Sequence, residues 1–166
     1  MQQAGYSKSN PLNIELKYNT SENHKKIAIA IAAMWKQIGV KTTLFNQEAK
    51  VHFADIKNKE YEIARYGWIG DYNDPATFTN LFLDNAYNFT NYVNPKVLEL
   101  AKQANKELDL KKRAKILATL VQTSLEDYPT IPIYNYVSTR LVSPKVSGYE
   151  SNILDVHPYR YMKLSK

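Results

Sequence analysis

The chain carries no cysteine in its 166 residues. That excludes disulfides, thiolate metal sites and cysteine nucleophiles, and it suits an oxidising or a reducing compartment equally. Long apolar runs are missing as well, and no stretch approaches the length of a membrane span. The opening Met1-Gln2-Gln3-Ala4-Gly5-Tyr6 is polar and lacks an apolar signal core, so export of the polypeptide as given needs a signal that was removed or lies upstream. No glycine interrupts Tyr18-Asn19-Thr20-Ser21-Glu22-Asn23-His24, where a first strand hands over to a helix, and a phosphate-cradling loop loses its support. The three histidines, His24, His52 and His157, are far apart and show no metal-binding spacing, so no cofactor or metal is expected. A lone histidine is most simply a surface or capping residue. Ser21, Ser124, Ser138 and Ser143 have no nucleophile-elbow context. Asp71 and Asp74 show no sign of facing one bond from two sides. With no catalytic set in view, the chain is not expected to be an enzyme.

What is present describes a chain able to build a core. Hydrophobic residues make up 44% and charged residues 23%, both near globular averages, and the length suits one domain. The net charge of +6 comes from scattered basic residues, densest at Lys25-Lys26 and Lys111-Lys112-Arg113 on helical patterns. With no RNA-recognition signature and no helix-turn-helix spacing, nucleic acid is not an expected partner. Tyrosines number 13 against 5 phenylalanines. A flat apolar body with a polar tip suits a ligand surface, and it equally suits half-buried strands.

The periodicity predicts β-α-β-α-β. Strands are expected at Leu12 to Tyr18, Val40 to Phe45 and Tyr61 to Trp68. Helices are expected from Glu22 to Gln37, stopped by Gly39, and from Gln47 to Asn58, capped by Asn46. Connections of this length suit parallel, right-handed crossovers. A short helix over Pro75 to Leu83, a polar loop from Asp84 to Asn94 that includes Asn85, and helices over Pro95 to Glu107 and Leu110 to Glu126 follow. Ile131 to Val137 and Tyr159 to Met162 read as strand-like, and Leu141 to Lys166 reads as a tail without a core of its own.

The chain is organised around Arg65-Tyr66-Gly67-Trp68-Ile69-Gly70-Asp71-Tyr72-Asn73-Asp74-Pro75. Asp71 falls where a strand gives way to a helix opened by Asp74 and Pro75. Ligands of open α/β sheets bind at the carboxyl ends of strands, so a carboxylate beside Trp68 and Tyr72 can hold a cation. The plainer reading is an aspartate that only ties its turn. His24, near the end of the first strand, is expected on the same rim if the sheet is parallel.

Three blocks then carry a resemblance: Tyr18 to Lys26, Ala64 to Pro75 and Ile131 to Val142. In order and over nearly the whole chain, they resemble the C-terminal part of bacterial periplasmic oligopeptide-binding proteins, the substrate-binding components of peptide ABC transporters. The resemblance implies a periplasmic-binding-protein-like second lobe over residues 1–140, truncated at its N-terminus, and a tail over 141–166 that returns to a missing first lobe. It implies non-catalytic capture of short peptides for import, with a transporter permease as partner and a periplasmic or cell-envelope location. By the same resemblance Asp71 matches the residue that pairs with the peptide ammonium, and Trp68 and Ile69 the segment whose backbone pairs with the peptide. Arg65 and His24 match carboxylate partners, and Tyr136 and Asn88 match positions lining the cleft. Two residues depart from the family pattern: Ile56 stands where a second pocket arginine is expected, and Ala49 stands where a tryptophan is. Peptide length and pocket volume are thereby open, and a modified peptide such as a cell-wall fragment fits the change. An exposed cleft face carries a risk of self-association. The alternative from another class is a stand-alone structural or interaction module that binds no peptide.

Overall fold

A computed structural model describes residues 1–83, 86–152 and 154–165. The expected loop residues Asp84 and Asn85 lie outside the described residues. The chain divides into two compact units, Met1–Gly67 and Trp68–Lys166.

The first unit is built on β1 (Leu12–Asn19), which is paired in parallel on both sides. The helix α1 (Glu22–Gln37) leads to β2 (Val40–Gln47), and α2 (Ala49–Asn58) leads to β3 (Ile63–Ala64), giving the strand order β2-β1-β3. This is the expected β-α-β-α-β arrangement. The apolar alternation of β1 drives it: Leu16 and Tyr18 are buried, and they pack with Ala28 of α1 against Ile31, Leu44 and Ile63. Gly39 ends α1 in the left-handed region at φ 85°, where a side chain would be strained.

Two expectations for this unit are corrected. Asn46 does not cap α2, because β2 runs on through it to Gln47. Its amide donates to the Tyr18 carbonyl at 3.4 Å, and Glu48 caps α2 instead, accepting from the Lys50 N–H at 2.8 Å. The third strand is two residues long rather than Tyr61 to Trp68. Its pairing with β1 ends at Lys17 and Ala64, after which the chain leaves the sheet.

The second unit is mainly helical. Ala76–Thr79 forms α3, continued by a 3-10 turn at Asn80–Phe82, and α4 (Pro95–Lys106) and α5 (Leu110–Glu126) follow. Asn94 and Asp109 cap the latter two by accepting backbone N–H groups. Phe82, Val97 and Leu120 form the core, with Leu100, Ala101 and Leu125 packed around them. Ile131 to Val137 does not form the expected strand. A strand needs a ladder partner, this segment enters no ladder among the described residues, and Ile131 (65%) and Ile133 (56%) stay exposed. Of the strand-like stretch Tyr159 to Met162, Tyr159–Tyr161 is a 3-10 turn; the pairing falls just after it, between β4 (Val146–Ser147) and β5 (Lys163–Leu164). Among the described residues no helix is long and apolar enough to cross a membrane.

Leu120→Ala is expected to cost about 2–5 kcal/mol, because the side chain is fully buried and its loss leaves a cavity. Leu110→Ala, at a position 77% exposed, is expected to stay within about 0.5 kcal/mol. Urea unfolding followed by circular dichroism checks both.

Candidate functional site

In the first unit, parallel pairing brings three polar residues together at the carboxyl end of the sheet. Asn19 closes β1, His24 lies in the first turn of α1, and Arg65 follows β3. The Arg65 Nη1 donates to Asn19 Oδ1 at 3.3 Å. Burial holds the His24 imidazole below the usual histidine range, and the nearby Arg65 charge pushes it the same way. Its Nδ1 is buried with no hydrogen-bond partner among the described residues. Two groups that each disfavour positive charge on the other are relieved by an anion placed against both, so the pair suits a carboxylate.

In the second unit, the segment from Trp68 to Asp71 is held by one hydroxyl. Thr77 Oγ1 accepts from the Trp68 indole Nε1–H at 3.3 Å and from the Asp71 N–H at 3.1 Å, and Thr77 is fully buried. Gly70 passes so close that a Cβ there would lie 3.1 Å from Thr77 Cγ2. The Trp68 ring meets Tyr87 edge-on at 5.3 Å, while Ile69 stands 75% exposed.

The two aspartates of this stretch have separate roles. Asp74 accepts the Ala76 N–H at 2.8 Å and two guanidinium bonds from Arg113 at 2.7 and 2.9 Å. It is thus the turn-tying residue, although Pro75 sits one position earlier than expected, at the cap of α3. Arg113 holds the Asp74 carboxyl below its usual range, helped by the Ala76 N–H. That stabilisation is full above the unfolded carboxylate range of about 3.9 and fades as pH falls through the depressed value. Asp71 is exposed, and its carboxylate makes no hydrogen bond or ion pair among the described residues.

The remaining expected residues are placed as follows. Asn88 is buried and bound within its own loop: its amide donates to Tyr92 O at 2.6 Å, and its Oδ1 accepts from the Thr90 N–H and hydroxyl. Tyr136 is half exposed and meets Tyr134 edge-on at 5.1 Å. Ile56, the departure from the arginine pattern, is buried at 3% exposure. His52, read as a surface or capping residue, is instead fully buried, and its Nε2 faces the Arg65 carbonyl at 2.8 Å. Its place on α2, one turn before the buried Ile56, was the available signal. Among the described residues no cluster of acidic residues and histidines could hold a metal.

Thr77→Val keeps the shape and removes the acceptor shared by the Trp68 indole and the Asp71 N–H. It is expected to destabilise the chain by about 1–3 kcal/mol. In a Trp35→Phe background the Trp68 fluorescence should shift as well, and an unchanged spectrum and stability would contradict the role given to Thr77.

Residues 1–90, more than half of the chain, match the family model described as bacterial extracellular solute-binding proteins, family 5 Middle. The periplasmic oligopeptide-binding protein OppA of Haemophilus influenzae is 43% identical over 165 residues, covering 96% of this chain and 30% of the relative. The periplasmic murein peptide-binding protein MppA of Escherichia coli is 39% identical over 151 residues, covering 90% of this chain and 28% of the relative. The chain therefore spans about 30% of the length of these relatives. The structure of H. influenzae OppA in complex with RPPGFSPFR superposes with a TM-score of 0.85 at 41% identity, covering 99% of this chain and 33% of that one. The unliganded open form of MppA gives 0.82 at 38% identity, covering 98% and 32%. The fold is thus periplasmic-binding-protein-like, α/β with a parallel sheet. The chain belongs to the bacterial extracellular solute-binding proteins of family 5.

Proposed function

We propose that this chain contributes one wall of a cleft that captures short oligopeptides, without catalysis, for uptake by an ABC transporter. The observation that carries the reading is Asp71: an exposed carboxylate without a partner among the described residues, on a segment fixed by Thr77. In this reading Asp71 takes the peptide ammonium, the Trp68–Ile69 backbone pairs with the extended peptide, and Arg65 and His24 are the carboxylate partners. Asn88 supports the loop and Tyr136 adds an aromatic surface. Residues 1–140 act as the second lobe and 141–166 as a tail onto a first lobe, with the permease as partner and the periplasm as the place of action. The peptide named in one relative's structure and the murein peptide in another's name support peptides as the ligand class, cell-wall peptides included. The exposed Ile131, Ile133 and Val137 favour a second reading, an interaction module that associates with itself or another chain.

Titration calorimetry of tri- and tetrapeptides into the chain, repeated with N-acetylated peptides, tests the first reading. Acetylation and Asp71→Asn should each weaken binding about 10- to 150-fold, the equivalent of a charge-assisted hydrogen bond of about 1.5–3 kcal/mol. Equal heats with free and acetylated peptides would remove Asp71 from the site. Heat with neither would favour the interaction module. A carboxylate arriving beside His24 should raise its proton affinity, so binding near neutral pH should take up protons. The apparent enthalpy should then vary with the ionisation enthalpy of the buffer.

A further inference from the structure

His52 is the chemistry-bearing residue that the proposed function leaves unused. Its ring is fully buried on α2, with Nε2 at 2.8 Å from the Arg65 carbonyl. A carbonyl only accepts, so the facing nitrogen carries the proton. The other nitrogen, Nδ1, is buried without a partner among the described residues.

The location matters more than the bond. Pairing between β1 and β3 ends at Lys17 and Ala64. The next residue, Arg65, still donates its N–H to the Lys17 carbonyl at 2.7 Å. Its own carbonyl then turns to the helix. Arg65 is therefore the residue where the chain changes from sheet to loop, held by a strand on one side and by His52 on the other. The platform under His52 is itself fixed: Asp55, on the same helix, accepts from Lys17 Nζ at 2.8 Å and from the Gln47 amide at 2.7 Å.

We propose that His52 is a positioning residue, whose Nε2–H fixes the Arg65 backbone as β3 leaves the sheet and so sets where the Arg65 guanidinium stands beside Asn19 and His24. This rests on the reading of Arg65 as a carboxylate partner only for its consequence in binding; the backbone lock is a claim about this chain alone. The ring at the lock can also take up a proton in acid. A second proton would enter at Nδ1, where no acceptor waits. The groups facing the ring are the Arg65 charge at the exit of β3, Lys17 on β1, Asp55 on α2 and His24 on α1; Asp55 and the Arg65 carbonyl favour the extra charge, and the others oppose it. Burial pushes the imidazole below the usual histidine range, opposed by the Arg65 carbonyl bond, so the ring stays neutral at neutral pH, and a proton added in acid leaves the Nε2–H donor in place.

Nitrogen–proton NMR of the intact chain tests the lock. His52→Gln keeps a side-chain N–H at the height of Nε2, and it should leave the Arg65 and Tyr66 amide signals near their native positions. His52→Leu should move both signals and speed exchange of the Arg65 amide by about 10-fold or more. In the native chain, acid should move the same signals with the ring's own titration, and the His52→Gln variant should not show that response. The native titration decides the matter even if His52→Leu fails to fold. Arg65 and Tyr66 signals that ignore the titration of His52, or that move as far in His52→Gln as in His52→Leu, would overturn the proposal. For function, the affinity ratio of a free-acid tripeptide over its C-terminal amide should fall about 10-fold in His52→Leu and be kept in His52→Gln. A native chain with no free-acid preference would count against Arg65 as a carboxylate partner, and the amide signals would still decide the role of His52.

Discussion

Pairing of β1 on both edges is the constraint on which the first unit depends. A parallel ladder cannot be closed by a tight turn, so each neighbouring strand is reached through a helix. Every strand therefore ends at the same edge, and every helix begins there. The chemistry at that edge follows from the topology: Asn19, His24 and Arg65 meet although Arg65 lies 46 positions from Asn19. The interior of the same ladder is guarded by Lys17, whose ammonium is shared between Asp55 and the Glu60 carbonyl at 2.6 Å and lies over the Phe45 ring.

The second unit solves a different problem. A loop must leave polar side chains free while its own backbone stays satisfied. Here Thr77 and Asp74 carry that burden from within the neighbouring helical turn, and Arg113 of α5 completes it from a distance in the sequence. The helices α4 and α5 provide the buried support, and their ends are joined by Asp127, which accepts from the Tyr92 hydroxyl and from the Asn94 amide, both at 2.7 Å.

Much of this was legible from residue pattern, and the failures have physical causes. Helices were read well because their apolar spacing and caps are local properties. Strands were read well only where a partner strand exists: Leu12 to Asn19 has two, whereas Ile131 to Val137 enters no ladder among the described residues. β3 was overread because Tyr61 to Trp68 has the right composition, while its length is set by where the Arg65 carbonyl finds His52. Asn46 had the chemistry of a cap, but the parallel register with β1 claimed it for the strand. At the candidate site, Asp71 and Arg65 stood out through their motif. Thr77, His52 and Arg113 did not, because nothing local shows that they hold the motif in place. The residues proposed to touch a ligand are conspicuous by type; the residues that aim them are ordinary.

The separate duties of Asp71 and Asp74 have a consequence for how such a candidate binding loop can change over generations. Folding of the stretch draws on Asp74, Arg113 and Thr77, all fixed within the unit. Position 71 contributes only its backbone N–H to that framework, and every residue except proline supplies one. Side chains at 71 are thus exposed to selection through the ligand with little drag from stability. A loop arranged in this way can take up a new ligand charge by a single replacement, without first having to repair the fold.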